Sequence, residues 1–217
     1  MVRIDINLFR LDVSIIFHAL GEYVRTIEDQ IEKLSTDECK RIQKTLYEDD
    51  SERDMELQNH EYLFSEVLPR SFRYSCIVSL FSSLEVTMNK LCDELRKRKE
   101  LKLSVQDLKG NVLERTEKYI ARVAQINFPK TQITYLNDLN KIRNCIVHAG
   151  GYVEGSKNSK ELLQIVKKTK GLSISDDGYL DISKETCTFL FVGVCKWVDT
   201  VLDAAGIGPK PKIAGSR

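Results

Sequence analysis

The sequence predicts an all-α fold with one small β-hairpin before the C-terminal helix. Two observations indicate this fold class. Apolar residues recur at alternating steps of three and four along several long segments, which is the spacing of an amphipathic helix. Only one segment, at about residues 172–182, alternates apolar and polar residues around an Asp-Gly pair, which is the local signal of a hairpin.

The amphipathic pattern first appears over residues 8–35, where we expect the first helix. The highly charged residues 36–60 follow, as either a solvated helix or a mobile connection. Pro69 predicts a break, because proline donates no backbone hydrogen bond and suits the first turn of a helix. Beyond it, a second long stripe predicts a core helix; its apolar members are Ile77, Leu80, Leu84, Met88, Leu91 and Leu95.

Further helices are predicted in the second half of the chain. Ser104 and Asp107 have the spacing of a capping pair, and the apolar pattern after them continues helically to Phe128-Pro129. A fourth helix is expected from about Thr131 to His148, stopped by the glycines at 150 and 151.

The remaining elements surround the hairpin. A short helix is expected near residues 159–170, with Gly171 as its cap, and Ser183 is placed to cap the final helix. We expect one domain over residues 1–205, because 217 residues suffice for one well-buried core. A flexible tail rich in glycine and proline would then occupy residues 206–217.

Composition and charge exclude several classes of protein. The hydrophobic fraction of 42% and the charged fraction of 30% are those of an ordinary globular protein. The net charge of +1 is too balanced for a protein that coats nucleic acid non-specifically, so any contact with RNA must be local. Six cysteines without a Cys-x-x-Cys pair argue against a zinc site and predict a reducing cytoplasm. We expect no export signal and no membrane span.

A group of polar residues at the end of the fourth helix is the candidate site. Arg143 and His148 are five residues apart, so they point about 140° away from each other around the helix. One subunit does not trivially bring them together. Asn144 lies four residues before His148, on the same face, where its amide can orient or hydrogen-bond the imidazole.

These residue types suit phosphodiester chemistry without a metal. Histidine is the side chain that most readily exchanges protons near neutral pH. Arg143 supplies a fixed positive fork for phosphate oxygens, which the negative end of a helix dipole does not. Two simpler interpretations remain open, in which His148 caps helix carbonyls and Arg143 forms a surface ion pair with Asp138 or another acid.

The segment from Ile142 to Gly151, Ile-Arg-Asn-Cys-Ile-Val-His-Ala-Gly-Gly, closely resembles the ribonuclease motif of the HEPN superfamily. The resemblance is best over about residues 70–150. It implies an up-and-down bundle in which two subunits place both copies of the motif in one cleft. It also implies metal-free cleavage of RNA, with the RNA's own 2′-hydroxyl as the nucleophile and no cofactor.

The resemblance also implies a role for each residue. His148 would act as general base or acid, Arg143 would stabilise the pentavalent phosphate, and Asn144 would position the phosphate or His148. Glu85 and Asn89, four residues apart on the second core helix, could form a supporting polar strip facing the motif, or could simply face solvent.

Partners and biological context follow from the same resemblance. RNA would be the substrate, a homodimer the active form, and a toxin-antitoxin or phage-defence system the setting. HEPN toxins paired with nucleotidyltransferase antitoxins usually carry a tyrosine two residues after the histidine, where this chain has Gly150. This argues against modification by such a partner and leaves a different antitoxin or a phage-defence setting open. The alternative is a catalytically inactive HEPN module that binds RNA or nucleotide or mediates protein association. An unrelated helical scaffold with a chance motif is a third possibility.

Overall fold

The computed structural model of the chain describes residues 8–47, 49–127 and 133–208. It confirms the all-α helical bundle with a hairpin before the last helix. In chain order the elements are α1 (Leu8–Lys44), α2 (Asp50–Tyr62), α3 (Leu68–Arg98), α4 (Val112–Lys118), α5 (Ile133–Ala149), α6 (Ser159–Lys168), β1 (Leu172–Ile174), β2 (Leu180–Ile182) and α7 (Lys184–Ala204).

Helix α3 forms the centre of the bundle. It contacts α1, α4, α5 and α7, and the apolar stripe predicted for it is buried as expected. Each such side chain removed from water contributes about 1.5–3 kcal/mol to the free energy of folding. The core therefore joins helices that are far apart in sequence, and it fixes where the end of α5 lies.

The charged segment after residue 35 is helical. Helix α1 continues to Lys44, and α2 then returns antiparallel to it, with Arg41 donating to Glu56 over 2.7 Å and His60 donating to the Ser35 carbonyl over 2.9 Å. No residue of α2 is buried. Of the two alternatives left open by the sequence, the solvated helix is the one observed.

Pro69 produces a widened turn and does not break the chain's helical path. Residues Leu63–Val67 form a π-helical segment that joins α2 to α3, and the Leu68 N–H bonds to the Leu63 carbonyl. A proline ring would clash with the carbonyl four residues earlier in a regular helix, and a π-turn moves that carbonyl away.

The helix predicted from Ser104 to Phe128 forms only in part, because the helical path begins at Val112 and runs through α4 and a π-helical segment to Val123. Ser104 and Asp107 do form the predicted capping pair, but they cap only one 3₁₀ turn. Gly110 then takes a φ of +126°, and Asn111 caps α4 by accepting from the Glu114 N–H over 3.0 Å. Glycine and asparagine favour turns and caps over helix interiors, which accounts for the interruption. The predicted end at residues 128–129 lies outside the described residues.

The C-terminal third follows the predicted order with small changes at its ends. Helix α6 ends at Lys168, and Gly171 takes a φ of +78° before β1. Leu172 lies opposite Ile182 in the antiparallel hairpin. Ser183 caps α7 by accepting from the Thr186 N–H over 3.2 Å. Ile207 is buried, so packing extends at least to that residue, and residues 209–217 of the predicted tail lie outside the described part.

The hairpin is fastened to α3 by arginine side chains. Arg70 donates to Asp181 over 2.8 Å. Arg73 donates to the Ile182 carbonyl over 3.1 Å and forms a two-pronged ion pair with Glu28 of α1, with distances of 2.7 and 2.9 Å. Arg73 therefore links α1, α3 and the hairpin.

Replacing Arg73 by alanine is expected to lower the free energy of unfolding by about 1–2 kcal/mol, because hydrogen bonds to a charged group are lost in a partly buried setting. Urea unfolding would measure the change. Arg25→Ala is the matched control, since Arg25 pairs with Glu22 at an exposed site and should be replaceable without measurable effect. Equal stability of all three proteins would contradict the linking role of Arg73.

Among the helices of the described segments, none has both the length and the apolar character needed to cross a bilayer.

Candidate functional site

The end of helix α5 is shaped by two glycines with positive φ. Gly150 has a φ of +61° and Gly151 a φ of +89°. The Gly151 N–H donates to the Cys145 carbonyl over 3.1 Å, the backbone closure typical of a helix that ends in a left-handed residue. The predicted stop is confirmed. In the described part of the chain His148 makes no side-chain hydrogen bond, so it does not cap these carbonyls.

Gly151 also lets the chain pass close to helix α3. A Cβ at this position would lie 2.1 Å from the Tyr74 hydroxyl oxygen. Tyr74 donates that hydroxyl to the Leu180 carbonyl, and the Leu180 N–H donates to the Gly151 carbonyl over 2.9 Å. Burial raises the pKa of Tyr74, so its phenol remains a donor. The motif, the hairpin and α3 therefore meet at one point.

Helix α5 divides its side chains between the core and the outer face. Its buried residues are Leu136, Leu139, Ile142, Cys145 and Ile146. Arg143 and Asn144 are half-buried, while His148 is exposed. The apolar periodicity of the helix thus places the polar residues of the motif where a ligand can reach them.

Arg143 is held by two neighbours. Its Nη1 donates to Asn144 Oδ1 over 2.9 Å, and its guanidinium carbon lies 5.8 Å from the ring centre of Phe81 on α3. Its Nε is buried and has no hydrogen-bond partner among the described residues. Asp138 pairs instead with Lys168, so the ion pair suggested for Arg143 is not formed with that acid.

His148 and Asn144 line an open cleft of about 360 Å³ between the end of α5 and the start of α6. We call it the His148 cleft; its lining residues are Asn144, His148, Gly155, Ser156, Lys157 and Asn158. Arg143 does not line it. Within one subunit Arg143 is connected to the cleft through Asn144, and no hydrogen bond joins Asn144 to His148 in the described part of the chain.

The predicted supporting residues, Glu85 and Asn89, both lie on α3. Glu85 and Asn89 are half-buried, and among the described residues neither is hydrogen-bonded to Arg143, Asn144 or His148. The Asn89 side-chain oxygen is buried without a partner in that same set. The α3 residue that lies under Arg143 is Phe81, one turn before Glu85.

Sequence reasoning missed Phe81 and the loop at residues 155–158. Phe81 is one of the buried apolar residues of α3, and apolar spacing predicts burial without identifying the partner across the core. The loop reads as a polar connection. The feature of the loop that could have indicated a functional role is Lys157, a cation between the motif and the start of a predicted helix.

Cys145 packs in the hydrophobic core. It is fully buried, and its Sγ donates to the Tyr152 carbonyl over 3.7 Å. Burial raises the pKa of the thiol, although a hydrogen bond with Ser156 opposes the shift. The thiol is therefore poorly suited to act as a nucleophile.

A larger groove of about 830 Å³ lies on the other side of α5 and contains none of the predicted site residues. Its apolar lining comes from α5, α6 and α7, and includes Tyr135, Ile142, Ile165 and Phe189. Tyr135 donates to the Leu190 carbonyl over 2.7 Å, which satisfies its hydroxyl.

Within residues 8–47, 49–127 and 133–208, no cluster of three or more His, Cys, Asp or Glu side chains is arranged to hold a metal ion.

Fold and site together define an all-α bundle with a histidine-containing polar cleft at the end of a core helix. The chain matches no protein-family model, no curated protein and no solved structure. The HEPN resemblance therefore rests on the motif residues themselves.

Proposed function

We propose that the protein is a metal-independent endoribonuclease of the toxin or phage-defence type, active in the cytoplasm as a homodimer. The observation that carries this proposal is the setting of His148, which is exposed, makes no hydrogen bond among the described residues and lines an open cleft with Asn144. A histidine in that setting is free to accept or donate a proton.

In the proposed reaction the RNA 2′-hydroxyl loses its proton and its oxygen attacks the adjacent phosphorus. The bond from phosphorus to the 5′-oxygen breaks, and that oxygen takes up a proton. The products are a 2′,3′-cyclic phosphate and a free 5′-hydroxyl. His148 accepts the first proton or donates the second.

Arg143 would stabilise the negative charge that builds up on the phosphate oxygens during this reaction. Its contacts with Phe81 and Asn144 limit the orientations of the guanidinium. Because Arg143 does not line the His148 cleft of its own subunit, a complete site needs the motif of a second subunit. An antitoxin or a defence protein would then control access to this shared cleft.

The test is cleavage of labelled single-stranded RNA in EDTA, with a matched strand that carries 2′-deoxynucleotides throughout. We expect the RNA to be cut to 2′,3′-cyclic phosphate ends and the deoxy strand to stay intact, because it lacks the nucleophile. Cleavage of both strands, or products without cyclic ends, would contradict the mechanism. Inactivity on several RNAs, including total cellular RNA, would contradict the proposed ribonuclease activity.

A second candidate is a catalytically inactive module that binds RNA or nucleotide or mediates protein association. It is favoured by the packing of Arg143 over Phe81, with the Arg143 Nε buried and without a partner in the described part of the chain. Tight RNA binding without cleavage under the same conditions would support this candidate.

A further inference from the structure

The loop at residues 155–158 contributes more side chains to the His148 cleft than the motif does. Ser156, Lys157 and Asn158 all line it beside Asn144 and His148. None of the six lining residues is acidic. The loop leads directly into α6, so its position relative to α5 is fixed by the packing of both helices.

Lys157 is a cation without a counterion in this cleft. Its side chain is exposed and forms no hydrogen bond or ion pair with any described residue. Glu154, the nearest acid before it in sequence, is engaged by the Tyr152 hydroxyl over 3.1 Å. An unpaired cation in a concave site attracts anions more strongly than one on an open surface.

The other lining groups also offer donors. The Asn144 oxygen is occupied by Arg143, which leaves the Asn144 amide nitrogen for a ligand. Asn158 precedes α6 and makes no side-chain capping bond. The positive end of the α6 helix dipole adds to the positive electrostatic potential of the cleft. Among the described residues, the lining of the cleft is therefore rich in donors and contains no carboxylate, which suits a phosphate.

We propose that Lys157, together with Ser156 and Asn158, binds the RNA phosphate next to the one that is cleaved at His148. This inference rests on the proposed ribonuclease function for its ligand. Lys157 is a positioning residue here, because it holds the strand and does not touch the reacting atoms.

The experiment compares wild type with Lys157→Ala, Lys157→Arg and Lys167→Ala. Lys167 is the matched control, an exposed lysine on α6 that does not line the cleft. Lys157→Ala is expected to raise KM for a short single-stranded RNA about three- to tenfold with kcat close to wild type. Lys157→Arg should restore KM, and Lys167→Ala should not change it.

Binding is measured separately, by fluorescence anisotropy with the uncleavable deoxy strand at several salt concentrations. Losing one phosphate contact should reduce the slope of log affinity against log salt by about 0.7. A shallower slope and weaker binding for Lys157→Ala would support the phosphate subsite even if wild type cleaves no RNA. In that case only the proposed ribonuclease activity would be contradicted. Unchanged KM and slope in an active enzyme, or no binding by wild type, would overturn the subsite.

Discussion

His148→Ala is expected to slow RNA cleavage by about 10²–10⁴-fold, which is the usual contribution of a positioned general acid or base. The side chain is exposed and makes no hydrogen bond with the described residues. Its removal should therefore leave the Tm unchanged, so the loss of activity would come from the chemical step and not from unfolding.

The measurement is the initial rate of RNA cleavage in EDTA at matched concentrations of folded protein. His18→Ala is the control, because His18 is exposed on α1 and does not line the His148 cleft. If both variants cleave RNA at the wild-type rate, the cleavage comes from another site or from a contaminating nuclease. Equal loss in both variants would also contradict a specific role for His148.

Gly151→Ala is expected to destabilise the protein by about 2–4 kcal/mol, the largest effect we predict on folding. Two costs combine. The residue has a φ of +89°, which is unfavourable for any side chain with a Cβ. The new methyl group would also lie 2.1 Å from the Tyr74 hydroxyl, so the packing of α5 against α3 and the hairpin must shift.

Gly150→Ala provides the matched comparison one residue earlier. Gly150 also has a positive φ, of +61°, but nothing lies within 4 Å of its added Cβ. We therefore expect the free energy of unfolding to fall by only about 1 kcal/mol, because only the unfavourable backbone conformation contributes. Urea unfolding of both variants would measure the difference. Equal losses would show that the close approach to Tyr74 has no energetic consequence.

The helical stripes and the main turn signals could be predicted from the sequence. The stop at Gly150 and Gly151, the cap at Ser183 and the hairpin around Gly178 are local features, decided by residues within one turn of each other. The prediction of a helix across Gly110 was wrong, because it gave more weight to the apolar spacing on either side than to the two adjacent turn-forming residues, Gly110 and Asn111. Pro69 lies in the first turn of α3, as predicted, but a π-helical segment precedes it where a break was expected.

For the site, the sequence by itself determined the motif residues, the shared face of Asn144 and His148, and the separation of Arg143 from His148. These follow from helix geometry alone. Only the tertiary structure decided that Phe81 lies under Arg143 and that Lys157 shares a cleft with His148. Such neighbours come from other elements, and helical periodicity specifies which side chains face the core but not which partners they meet there.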